Sequence, residues 1–108
     1  MAKKSKKNIK MKSYDLFLKK ELQDPEQASL YLSAAAEDNS AEGFLVALRN
    51  VAQAHGGLGV LSKITSLNLQ NMYKMFSEDG NPTVSSLIAV LNAIGINLSF
   101  SPQERKLA

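Results

Sequence analysis

At 108 residues the chain has room for one domain, and 44% hydrophobic with 21% charged residues marks it as globular rather than disordered. With no cysteine and a single histidine, His55, disulfide frameworks, thiolate metal sites and paired-histidine zinc motifs are excluded. No stretch approaches the ~18 apolar residues of a membrane span, and the charged N-terminus lacks a signal peptide's apolar run. The sequence therefore predicts a cytoplasmic protein without metal or cofactor.

The net charge of +3 is unevenly spread. Lys3, Lys4, Lys6, Lys7, Lys10 and Lys12 lie in the first twelve residues. Residues 13–48 set Lys19 and Lys20 against seven acids, a net of −5. Residues 49–76 carry Arg49, Lys63 and Lys74 with no acid, a net of +3. A basic section inside an otherwise acidic domain points to an anionic partner for that section.

Residues 1–12 read as a disordered basic arm, because like charges repel and nothing apolar there nucleates a core. Such an arm is either a solubilising tail or a segment that follows a nucleic-acid backbone. "YDLFLKKEL", 14–22, fits a short helix with Tyr14, Leu18 and Leu22 (or Phe17) on one stripe. Asp24-Pro25 then reads as an N-cap with proline in the first helical position. The helix that follows, about 25–38, turns Ala28, Tyr31, Leu32, Ala35 and Ala36 inward. Ser40 caps a third helix over about 41–55, with Phe44, Leu45, Leu48, Val51 and Ala52 at helical spacing. "HGGLG" ends it, since paired glycines punctuate helices. His55, at that end, suits the helix dipole as a cation and suggests no catalysis.

Short helices are predicted at 58–65 and 69–76, joined by a tight turn at 66–68, and "SEDGNP" is a loop. Asn81-Pro82-Thr83 opens a last helix with Val84, Leu87, Ile88 and Leu91 buried and Gly95 at its left-handed C-terminus. "INLSF", 96–100, alternates Ile96, Leu98 and Phe100 with Asn97 and Ser99, which predicts a strand. The expected fold is all-α, about six short helices with one short C-terminal strand. It divides into the arm 1–12, a single domain 13–100 and a tail 101–108.

Two short helices with a three-residue turn have the spacing of a helix-turn-helix, in which the second helix enters the major groove. Leu61, Leu67, Met72, Met75 and Phe76 would face the core, and Ser62 is small where the helices cross most closely. The outward residues are unusual. A helix that needs only solubility carries Glu and Lys outward, whereas Asn68 to Ser77 contains amides, a phenol and one lysine but no acid. Asn and Gln donate and accept at once, matching adenine bidentately; a phenol and a lysine reach phosphates. Acids would be repelled there. No phosphate loop, nucleophile elbow or ligand cluster occurs, and adjacent carboxylates such as Glu37-Asp38 do not face each other on a helix, so no enzyme is predicted.

From about Tyr14 to Phe100 the chain resembles the addiction-module antidote family, HigA-like antitoxins with a helix-turn-helix of the Cro and phage-repressor type. "YLSAAAED" at 31–38, "LQNMYKMFSEDGNP" at 69–82 and "LIAVLNAIGINLSF" at 87–100 carry the resemblance. The Tyr-Lys and Gly-Asn-Pro elements at fixed separation are its most specific part. Two departures stand out: Ser66 occupies the turn where the family has glycine, and Ser62 stands where alanine is usual.

The resemblance implies an antitoxin that represses its own operon as a dimer and binds a small basic toxin of the RelE/ParE-like type. The acids of residues 13–48 are what such a toxin would meet. The expected DNA-binding residues are Gln70, Asn71 and Tyr73 at base edges, Lys74 and Ser77 on the DNA backbone, Leu69 at a thymine methyl, and Asn68 just before them. The expected dimer contact is the strand Ile96 to Phe100, paired with its copy, together with the helix before it; the alternative is a strand folded back on its own chain and a dimer formed through the N-terminal helices. A stand-alone repressor without a toxin, and a helical interaction module that never touches DNA, are the alternatives.

Overall fold

The computed structural model describes residues 13–38 and 40–103. The basic arm and most of the tail lie outside the described residues. Six helices follow one another: α1 Ser13–Glu21, α2 Pro25–Glu37, α3 Ala41–Ala54, α4 Gly57–Thr65, α5 Leu69–Met75 and α6 Val84–Ile94. The chain is all-α among the described residues.

Local chemistry sets most boundaries. Asp24 accepts from the Glu26 N–H and caps α2, with Pro25 in its first turn. Ser40 accepts from the Gly43 N–H and caps α3. Thr83 accepts from the Ser86 N–H and caps α6. Each such cap is worth about 1 kcal/mol. Gly56 and Gly57, at φ +103° and +88°, separate α3 from α4. Gly95, at φ +95°, ends α6, and the Ile96 N–H reaches back to the Leu91 carbonyl.

One core joins the helices. α3 lies between α1, α2 and α4, while α4 also packs on α5 and α6. Ala28 and Leu32 of α2 meet Leu45, Leu48, Val51 and Ala52 of α3; Leu61, Met72, Phe76, Val90, Leu91 and Ile94 complete the interior. Leu22, just after α1, is buried with them, and His55 Nε2 donates to its carbonyl at 2.9 Å. That contact ties the α1–α2 corner to the end of α3.

Three expectations are corrected. Residues 96–100 form no strand: a strand needs a neighbouring backbone, and no extended segment lies beside it among the described residues. Only Ile96 packs against the core; Leu98 and Phe100 are exposed. In α6 the buried residues are Ser86, Val90, Leu91 and Ile94, with Leu87 packed against them, whereas Val84 and Ile88 face outward. The sequence reading put Val84 and Ile88 inward with Leu87 and Leu91; in the packed helix Val90 and Ile94 take their place. In α1, Leu18 packs on the core but Tyr14 and Phe17 do not, and Ala36 of α2 is exposed as well.

Candidate nucleic-acid interface

The unit formed by α4 and α5 is held by its own turn. Ser66 is the only described non-glycine residue at positive φ, +65°, and its N–H bonds to the Ser62 carbonyl. A left-handed conformation costs a residue with a Cβ roughly 1–2 kcal/mol. Three side-chain bonds compensate. The Ser62 hydroxyl donates to the Leu67 carbonyl at 2.6 Å, Thr65 Oγ1 donates to the Leu61 carbonyl, and the Leu67 N–H donates to Thr65 Oγ1. Serine at position 62 is thus a small residue that also closes the turn.

Asn68 opens α5, its Oδ1 accepting from the Asn71 N–H at 2.9 Å. Met72, fully buried, and Phe76 anchor the inner face, with Met75 half-buried. Opposite them, Gln70, Tyr73 and Lys74 are exposed at i, i+3 and i+4, the spacing of one helix face. Ser77 follows at i+7, its hydroxyl donating to the Lys74 carbonyl at 2.8 Å. Asn71 is exposed one step round the helix, and Leu69 sits at the margin between outer and inner faces, 36% exposed. The fold therefore gathers Gln70, Tyr73, Lys74 and Ser77 on one surface, with Asn68, Leu69 and Asn71 around its start.

Two supporting contacts could not be read from sequence. Arg49 of α3 donates from Nη1 to the Phe76 carbonyl at 2.6 Å, holding the end of α5 against α3. Its spacing to Phe76 is 27 residues, so no local pattern signalled the contact. Beside it an open cleft of about 430 Å³ is lined by Arg49, Gly57, Gly59, Tyr73 and Ser77, among others. The other feature is Gly80. A Cβ there would run into the Met75 carbonyl. The loop can fold back over the end of α5 only because position 80 has no side chain, which accounts physically for glycine in the Gly-Asn-Pro element.

Among the described residues no group of three or more His, Asp or Glu is placed to hold a metal ion, and no helix is long and apolar enough to cross a membrane. Residues 10–102 match the family model described as probable addiction module antidote protein. The chain belongs to that family. An uncharacterized protein of Haemophilus influenzae is 28% identical over 94 residues, spanning 87% of this chain and 94% of its own. No solved structure matches. The match to the antidote family covers the six helices of the described residues, with the α4–α5 unit inside it.

Proposed function

We propose that this chain is the antidote of a toxin–antitoxin pair, repressing its own operon through a helix-turn-helix formed by α4 and α5 and neutralising a small basic toxin. One observation carries the DNA reading: the solvent face of α5 presents Gln70, Tyr73 and Lys74 with Ser77 beside them, and no acid occurs from Arg49 to Phe76. In the major groove, Gln70 and Asn71 supply paired donors and acceptors for base edges. Tyr73 stands between bases and backbone, Lys74 and Ser77 reach phosphates, and Leu69 meets a thymine methyl. Two copies read two half-sites about one helical turn apart.

The toxin reading rests on family membership and on the acidic section of the chain. Residues 13–48 carry the net −5, and there Tyr14, Leu16, Phe17 and Leu30 are exposed. Apolar side chains rimmed by acids suit a basic protein.

Fluorescence anisotropy with the chain's own upstream DNA tests the first half. A bidentate base contact is worth ~1–3 kcal/mol, so Gln70→Ala should weaken binding about five- to a hundredfold and relax specificity. Wild-type affinity in Gln70→Ala/Asn71→Ala would remove α5 from the interface. Co-purification with the product of a neighbouring reading frame tests the second half.

A further inference from the structure

A groove of about 400 Å³ lies between α1 and α2. Leu18, Leu22 and Tyr31 help to line it, together with Phe17 and Leu30, which are 61% and 62% exposed. Single apolar residues are ordinary on a surface, but these two border one groove, as residues of a contact site do. Neither belongs to the core, so folding of the chain does not account for them. α1 has nine residues and buries none, which makes it marginal without further packing. Cover over Phe17 would supply that packing.

Charge decides what the cover is. Glu21 lines the groove, Asp24 and Glu26 stand exposed where α1 gives way to α2, and Glu26 is one helical turn from Leu30. Residues 21–48 hold Glu21, Asp24, Glu26, Glu37, Asp38 and Glu42 without a Lys or Arg. These acids repel a DNA backbone. A second copy docked here about a two-fold axis would set the same acids against themselves. A basic protein meets neither obstacle. The cleft where α1 faces Asn50 and Gln53 of α3 is less selective, because Asp15 and Lys19 both line it and their charges cancel.

We infer that the α1–α2 groove is where a basic protein seats an apolar side chain between Phe17 and Leu30, with flanking Lys or Arg reaching Glu21 and Glu26. The inference rests on the toxin reading and deepens it, by assigning that partner's anchor to one groove. Phe17 and Leu30 form the desolvated centre, where truncation weakens binding most. The acids form the rim, which speeds encounter and responds to salt. Docking also completes α1, so its backbone amides should exchange more slowly when the groove is filled.

The test is biolayer interferometry of the full chain against the purified product of the neighbouring reading frame. Wild type is compared with Phe17→Ala/Leu30→Ala and Glu21→Gln/Glu26→Gln, with circular dichroism and operator binding as controls. Phe17→Ala/Leu30→Ala should raise the Kd at least about a hundredfold. Glu21→Gln/Glu26→Gln should slow association about tenfold at low salt, a difference that shrinks at high salt. Helical content and operator affinity should stay at wild-type values in both. Hydrogen exchange of the wild-type complex should show new protection in α1 and from Glu26 to Tyr31, a readout that needs no variant to fold. Undiminished affinity in folded Phe17→Ala/Leu30→Ala, or protection that leaves those residues unchanged, overturns the inference while the toxin reading stands. A wild-type chain that does not bind the product overturns the toxin reading and this inference together.

Discussion

Helices α1 and α5 are nearly equal in length, nine residues against seven, and they are held in opposite ways. α5 has a capped start at Asn68, a fully buried Met72, Phe76 in the core just past its end and a guanidinium on its last turn. Its outward side chains are polar. α1 buries no residue of its own, touches the core through Leu18, and holds Tyr14, Leu16 and Phe17 in solvent. A helix this short is marginal without tertiary packing. A rigid support under polar contacts suits repeated reading of a regular lattice such as a DNA groove. Apolar residues on a lightly anchored helix suit a surface completed by another protein. The sections that carry them differ in charge as well, a net of −5 over residues 13–48 against +3 over residues 49–76.

Stability measurements on single variants would break this contrast most directly. Met72→Ala removes a fully buried side chain and should cost roughly 2–5 kcal/mol, seen as a drop in the urea midpoint. Phe17→Ala should stay within about 0.5 kcal/mol, as exposed positions do. Equal losses at the two sites would mean that α1 is as firmly packed as α5. Next in size is Gly80→Ala. Its Cβ meets the backbone of Met75, so the loop must shift, at a cost of roughly 1–3 kcal/mol; an unchanged melting temperature would show that the loop is not braced on α5.

A smaller effect separates the two sections by charge. Lys74→Ala should reduce the salt slope of operator binding by about 0.9, one phosphate contact, while Lys19→Ala on α1 should leave it alone. Similar changes from both would place DNA across the acidic half as well. The smallest expected effect is Ser66→Gly. Relief of roughly 1–2 kcal/mol of left-handed strain is opposed by the extra freedom glycine brings to the unfolded chain. A net gain of about 0.5 kcal/mol is therefore expected in thermal unfolding, provided that the hydrogen bonds of Ser62 and Thr65 persist.

Much of this protein was legible in the residues because its causes are local. Asp24, Ser40 and Thr83 accept backbone N–H groups within three residues, and Gly95 adopts a conformation that side chains disfavour, so helix boundaries followed from short stretches. The buried stripe of α3 followed from its period. The acid-free section, and the amides on α5, were also visible in sequence, because the side chains of one helix face recur every three to four residues whatever surrounds them.

Tertiary structure decided what depends on distant partners. Only packing against α4 determined that Val90 and Ile94 of α6 are buried while Val84 and Ile88 stay outside; both sets satisfy a helical period, and the sequence has no term for which side a neighbour approaches. The alternation in residues 96–100 is compatible with a strand, but pairing requires a second backbone, and none of the described residues supplies one there. Arg49 and Phe76 lie 27 residues apart, and their bond exists only because α3 and α5 are brought side by side. Glycine at position 80 was part of a motif in sequence; its cause, a carbonyl that would collide with any Cβ, belongs to the folded chain alone.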